Sequence, residues 1–184
     1  MSGTLPWYVA RACGLVAWAL LAGSVVWGLI LSTKVLGMKP RPSWVLDLHR
    51  YLGGLGVIFS AVHILAILVD TYLPFSPVNV LLPMTSQWRP GAITWGVVSL
   101  YLLIAVQATS MMRHKLPKKV WRVTHTLAFP LFLTASLHAF TSGTDTLGAV
   151  VRPVSLLTTA AVIAFMAWRV FGYRRTPAKA TISR

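Results

Sequence analysis

The chain has 184 residues, of which 56% are hydrophobic and 11% are charged, and its mean hydropathy is +0.70. This composition excludes an ordinary soluble domain and predicts an all-α integral membrane protein in contact with lipid. The formal net charge of +14 does not indicate nucleic-acid binding, because the basic residues stand between apolar runs and no base-reading motif accompanies them.

Long apolar runs define the predicted helices. Since about 20 apolar residues cross a bilayer, the sequence predicts five transmembrane helices, near residues 8–32, 44–70, 92–112, 119–141 and 148–172. Five spans leave little chain for a soluble domain. We therefore expect one transmembrane domain over residues 1–172 and a short basic tail over residues 173–184.

The first run could be mistaken for a secretory leader. Its apolar stretch is longer than a usual leader core, and Lys34, Lys39 and Arg41 follow it, so we expect a retained helix. The one cysteine, Cys13, lies within this run. A single cysteine excludes an internal disulfide and a thiolate metal cluster.

The positions of lysine and arginine predict the orientation in the membrane. If the N-terminus is external, all but three of the 17 Lys and Arg lie on one side, and the exceptions are Arg11, Arg89 and Arg152. By the positive-inside rule, the loops around residues 33–43 and 112–119 are then cytoplasmic, together with the C-terminus.

Four of the five histidines lie at membrane depth, where an ionisable side chain is costly and marks a candidate functional site. His49 and His63 lie on the second span, and His125 and His138 lie on the fourth. Both spans run from inside to outside, so His49 shares the inner level with His125, and His63 shares the outer level with His138. The fifth, His114, stands in a basic loop, where we expect it to contact solvent or lipid headgroups.

The spacing of these histidines favours two separate pairs. Fourteen residues span about 21 Å and leave His49 and His63 within about 40° of one helix face. Thirteen residues leave His125 and His138 about 140° apart on an ideal helix, unless Pro130 kinks or rewinds the span between them. Each pair could supply the two axial ligands of a low-spin haem. One zinc site is excluded, because its ligands would all lie about 2 Å from one ion.

Three neighbours of the inner pair are further candidates for cofactor binding. Gly53, one turn after His49, could let a flat cofactor approach the backbone, and it could equally serve helix packing. Arg50 and Arg122 could neutralise haem propionates, or they could act as positive-inside anchors. On the outer side, the partly apolar loop over residues 71–90 could form a lid or docking surface, or it could lie among the headgroups.

Two segments, "LHRYLGGLGVIFSAVHILA" and "MMRHKLPKKVWRVTHTLAFPLFLTASLHAF", resemble the ferric reductase-like transmembrane domain family over about residues 40–172. That family includes the membrane parts of ferric reductases and NADPH oxidases, and the haem-binding membrane subunit of a bacterial periplasmic methionine sulfoxide reductase system. The resemblance implies a helical bundle enclosing two stacked b-type haems. It assigns His49 and His125 to the inner haem iron, and His63 and His138 to the outer haem iron.

The resemblance also implies an activity and a place for it. Electrons would pass from a cytoplasmic flavoprotein or a membrane quinol to an extracytoplasmic acceptor, such as ferric iron, oxygen or a partner redox protein. We expect a bacterial plasma membrane protein with an external N-terminus and a cytoplasmic C-terminus.

The chain departs from the family pattern in two respects. Members often have six spans, and those that act alone add a flavin and nicotinamide domain, of which we find no dinucleotide fingerprint here. Any flavin would therefore come from a partner, and the chain would be an oxidoreductase component with no catalytic side chain of its own. A different di-haem cytochrome b, and a non-redox helical protein with a histidine proton relay, are the alternatives.

Overall fold

The computed structural model describes residues 5–33, 43–71, 73, 75–143, 148 and 150–172, and the predicted tail over residues 173–184 lies outside them. The described chain is helical and contains no strand. Its elements, in chain order, are α1 (Leu5–Thr33), α2 (Ser43–Val69), α3 (Pro77–Leu81), α4 (Pro90–Met111), α5 (Lys118–Thr126), α6 (Ala128–Ser142) and α7 (Val151–Ala167), which continues into a π-helical turn (Trp168–Gly172).

Five of these helical units are long and apolar enough to cross a membrane: α1, α2, α4, α5 with α6, and α7 with its π-helical turn. Their ends lie within three residues of the predicted ones. A helix satisfies its own backbone hydrogen bonds, so such apolar runs become helices where no water is available. The predicted all-α membrane-spanning fold is confirmed.

The outward surface of the bundle is apolar. Leu65, Ile104 and Leu157, on three different spans, are 62%, 53% and 71% exposed. A water-soluble protein rarely leaves a contiguous apolar surface of this kind uncovered. Hydrocarbon is the medium that suits these side chains.

Helix α1 lies between the other spans and packs against α2, α6 and α7. The buried core is a cluster from three helices, namely Ala22, Val25 and Leu29 of α1, Phe132 of α6, and Val162 and Met166 of α7. The indole N–H of Trp18 donates to Ser136 Oγ across 3.0 Å, and the Trp18 ring stacks on Phe132. These contacts fix α1 against α6, and α4 also packs against α6.

The fourth span is interrupted at Leu127, between α5 and α6. Pro130 has no N–H for the carbonyl of Thr126, and its ring crowds that carbonyl, so a regular α-helix cannot continue through this point. The backbone tightens instead: the N–H of Leu127 donates to Thr124 O at 3.1 Å, and the N–H of Leu131 returns to Leu127 O at 2.9 Å. The kink or rewinding that Pro130 permits is therefore present, and it lies three residues before the proline.

The connection between α2 and α4 is folded onto one end of the bundle, which we call the loop end. Asn79 of α3 donates to Thr85 O at 2.9 Å, and the Tyr101 hydroxyl of α4 donates to Leu81 O at 2.6 Å. Phe75 and Trp88, whose rings meet edge to face, face the interior. The opposite end carries Arg50, Arg113, Lys115, Lys118 and Lys119, and we call it the basic end.

Candidate functional site

The structure brings the four membrane histidines together in two pairs, as their levels predicted. The ring centroids of His49 and His125 are 5.9 Å apart near the basic end, with ring planes at 78°. Those of His63 and His138 are 6.4 Å apart near the loop end, with ring planes at 76°. The interruption at Leu127 lets His125 and His138 face α2 despite their 13-residue spacing.

The spacing within each pair suits one metal atom held from opposite sides. An imidazole nitrogen lies about 2 Å from a metal that it binds, and the ring centre lies about 1 Å further, so two such rings have centres about 6 Å apart. Both measured separations match this value. Within the part of the chain that the structure describes, no three His, Cys, Asp or Glu side chains converge on a common metal position. Paired imidazoles are the arrangement of a bis-histidine haem.

Each of the four rings uses its Nδ1 atom in a hydrogen bond. The acceptors are the backbone carbonyls of Ala10 for His63 (2.6 Å), Ala92 for His138 (2.9 Å) and Ser24 for His49 (3.1 Å), and the Ser110 hydroxyl is the partner of His125 (3.2 Å). A carbonyl only accepts, so three of the rings carry their proton on Nδ1. Among the described residues, nothing hydrogen-bonds to an Nε2 atom, and in these three rings that atom is left with a lone pair for a metal.

Three glycines on α1 and α4 make room for the rings. An added Cβ would lie at 2.9 Å from Nδ1 of His63 for Gly14, at 3.2 Å from Cε1 of His49 for Gly28, and at 2.8 Å from Nδ1 of His138 for Gly96. Real Cβ atoms essentially never approach closer than 3.0 Å. The rings reach the backbone carbonyls only because these positions have no side chain.

Both pairs line one internal cavity of about 1480 Å³. It exceeds the roughly 300–1,000 Å³ of an ordinary small-ligand pocket, and it extends from the basic end to the residues of the loop end. Aliphatic side chains such as Leu21, Leu52 and Leu100 line it along its length. The cavity therefore offers a mostly apolar interior with two imidazole pairs at different depths.

The family model described as "Ferric reductase like transmembrane component" matches residues 12–136. The chain belongs to this family. The match includes His49, His63 and His125, and His138 follows two residues later. No curated protein and no solved structure matches the chain. Family membership indicates transmembrane electron transfer as the general activity, and haem as the usual cofactor.

Within this ferric reductase-like chain, the other predicted site residues lie in different surroundings. Gly53 lines the cavity, but an added Cβ there would make only an ordinary contact, 3.6 Å from Ser24 Oγ. Arg50 also lines the cavity and lies 3.4 Å from Asp47 in an exposed ion pair. Arg122 is exposed and is not part of the cavity lining, and both of its predicted roles, in propionate binding and as a membrane anchor, stay predictions.

Several residues of the site were not predicted from the sequence. Arg113, His114 and Arg169 line the cavity at the basic end, where the Arg169 Nε–H also donates to Ser32 Oγ. Trp121 stacks on His125, with ring centroids 5.2 Å apart and planes at 23°. The contribution of α1 to the site, through Gly14 and Gly28, was not predicted either. The one available signal was the 14-residue interval between Gly14 and Gly28, equal to that between His49 and His63.

Proposed function

We propose that the chain is a di-haem b-type cytochrome subunit that carries electrons across the membrane. The observation that carries this proposal is the pairing of the four imidazoles at two depths of one cavity, with each ring engaged in a hydrogen bond through Nδ1 and not through Nε2. His49 and His125 would ligate the iron at the basic end, and His63 and His138 the iron at the loop end. We also propose that residues 1–172 form a single transmembrane domain.

The chain's own residues hold and orient the ligands. Each Nδ1 hydrogen bond fixes a ring plane, and a bond to a carbonyl also raises the basicity of the ligating nitrogen. When bound, each haem supplies a one-electron ferric/ferrous couple. Aliphatic side chains make up much of the cavity lining, and low polarity around the site is one of the factors that set the potential of such a couple.

Positive charge at the basic end suits the acidic groups of a haem. Arg50, Arg113 and Arg169 line the cavity there. Guanidinium groups form strong charge-assisted hydrogen bonds with carboxylates. Arg50 and Arg113 are exposed and Arg169 is partly buried, so their side chains can reach both the cavity mouth and the aqueous boundary.

The basic end also suits an electron donor with an acidic surface. Lys115, Lys118 and Lys119 are exposed around the short α4–α5 connection. We propose that this end faces the cytoplasm, with the N-terminus outside, and that a flavoprotein or membrane quinol delivers electrons there. An extracytoplasmic acceptor, such as ferric iron, oxygen or a redox protein, would receive them at the loop end.

Haem content tests the proposal directly. The detergent-purified chain, expressed with haem supplementation, should give a pyridine haemochromogen spectrum of b-type haem and a ratio of two haems per chain. Its reduced-minus-oxidised spectrum should be that of low-spin, bis-histidine haem. A ratio of one would contradict the di-haem assignment, and no haem at all would favour a non-redox role for the four histidines.

Charge reversal should reveal the docking of a donor at the basic end. In the double variant Lys118→Glu/Lys119→Glu, reduction by photoreduced flavodoxin, an acidic flavoprotein, should slow by about tenfold at low ionic strength, because electrostatic steering is lost. The difference should shrink as salt is added. Arg152→Glu, at the other end of the bundle, is the matched control and should leave the stopped-flow rate unchanged. Equal rates in all three proteins would argue against docking at this end.

A further inference from the structure

Helices α1 and α4 lie against the histidine rings and place small residues at the same spacing, but one of the four positions differs from the others. On α1, Gly14 and Gly28 are 14 residues apart, and on α4, Gly96 and Ser110 are also 14 residues apart. Each of these four positions lies against one of the four rings. Ser110, the partner of His125, is the member of the set that has a side chain.

The three glycine positions share one local geometry. In each case, the ring donates from Nδ1 to the carbonyl four residues before the glycine, namely Ala10 before Gly14, Ser24 before Gly28 and Ala92 before Gly96. In an α-helix that carbonyl already accepts the N–H of the glycine. The ring therefore shares the carbonyl with the helix, and it can do so because the glycine has no Cβ.

Position 110 breaks this pattern. The Ser110 side chain stands where a ring would lie over a glycine, and His125 Nδ1 instead lies 3.2 Å from Ser110 Oγ. The carbonyl four residues earlier, Val106 O, accepts a hydrogen bond from the Thr109 hydroxyl at 3.2 Å. His125 is thus the one ring of the four whose Nδ1 hydrogen bond is made to a hydroxyl alone.

A hydroxyl constrains an imidazole less than a carbonyl does. A carbonyl accepts only, so it requires the proton to be on Nδ1 and leaves Nε2 bare. A hydroxyl can donate as well as accept, so it is compatible with both neutral tautomers of His125. Only one of them can bind iron through Nε2. A hydroxyl also accepts less strongly than a shared backbone carbonyl, so His125 donates less electron density to a metal than its three counterparts.

We infer that Ser110 is a positioning residue whose hydroxyl holds His125, and that, because this hydroxyl accepts less strongly than the carbonyls behind the other three rings, the haem site at the basic end is the higher in reduction potential and the weaker in haem retention. The inference rests on the proposed function, since it requires a haem on each histidine pair. Less electron donation by His125 destabilises the ferric state relative to the ferrous state, which raises the potential. The positive charges of Arg50 and Arg113 near this end act in the same direction.

Spectroelectrochemical titration of the purified holoprotein tests this inference. The wild type should show two couples, and His63→Ala, which retains only the basic-end site, should keep the higher one. Ser110→Ala should shift the higher couple upward by about 59 mV, equivalent to about tenfold in the ferric/ferrous equilibrium, and leave the lower couple in place. Transfer of one haem to excess apomyoglobin should become about tenfold faster.

Two further variants serve as rescue and control. Ser110→Thr keeps a hydroxyl and should restore the wild-type couple. Ser60→Ala removes another hydroxyl of the cavity lining, one that bonds to Gly56 O, and should change neither couple.

The possible failures of this test are distinguishable. If both couples stay in place in Ser110→Ala, or if the lower one moves instead, the role of Ser110 is refuted while two haems still support the proposed function. If the wild type carries no haem pair, the proposed function fails and the role of Ser110 fails with it.

Discussion

Replacing His63 with alanine is expected to remove the loop-end haem and leave the basic-end haem bound. His63 is held by the carbonyl of Ala10 at 2.6 Å and faces His138 at 6.4 Å. An alanine would leave His138 as the one imidazole able to hold the iron at this level, so a site built from two imidazoles should lose its haem more readily. The haem-to-protein ratio should fall from two to about one, which is a direct readout of the two-ligand site. His138→Ala should have the same result.

The reciprocal variants give the complementary result. His49→Ala and His125→Ala should each remove the basic-end haem and keep the other, so the low-spin couple that remains should differ from that of His63→Ala. His114→Ala is the matched control, because this fifth histidine lies at the cavity mouth without a histidine partner. It should keep two haems.

The contrary outcome is equally clear. Loss of both haems in His63→Ala, with a monodisperse elution profile and unchanged helical circular dichroism, would mean that the two sites are not separate. Loss of both together with aggregation would instead locate the defect in folding. In that case, His63→Met distinguishes a missing ligand from a folding defect. A thioether can replace an imidazole as a haem ligand, so this variant should restore the second haem with a raised potential.

The spans and the levels of the histidines were predictable because both depend on local properties. Bilayer thickness fixes the length of an apolar run, and rise per residue fixes the depth of each side chain. His49 and His63 follow an uninterrupted helix, so their common face could be calculated. His125 and His138 do not, and only a possible kink or rewinding at Pro130 could be stated in advance, since its position and size depend on packing around Leu127.

The residues behind the histidine rings could not be predicted, because they depend on which helix faces which. Gly14 and Gly28 look like ordinary small residues of a membrane helix. Their role emerges only when α1 is placed against α2, so that each lies under a ring of the neighbouring helix. The position of Arg122 outside the cavity lining could not be predicted for the same reason, because proximity to His125 in sequence does not tell which side of α5 faces the cavity.

Gly96→Ala is expected to weaken the loop-end site without removing any ligand. The new Cβ would lie 2.8 Å from both Cε1 and Nδ1 of His138, closer than real Cβ atoms approach. The ring must therefore move away and lose its hydrogen bond to Ala92 O. Loss of an outer-shell partner typically costs about tenfold or more in metal-site affinity. The loop-end haem should transfer to apomyoglobin at least about tenfold faster.

The matched control for this substitution lies on the same helix. An added Cβ at Gly91 meets nothing within 4 Å, so Gly91→Ala should leave both haems bound as in the wild type. Alanine favours a helix over glycine by up to about 1 kcal/mol, so neither variant should lose helix, and any difference between them comes from the contact with His138. Gly28→Ala should weaken haem retention at the basic-end site, but less than Gly96→Ala weakens it at the loop-end site. Its Cβ would lie 3.2 Å from His49, and a small shift of the ring relieves this contact. Equal retention in Gly96→Ala and Gly91→Ala would show that His138 does not need its place against α4 to hold a haem.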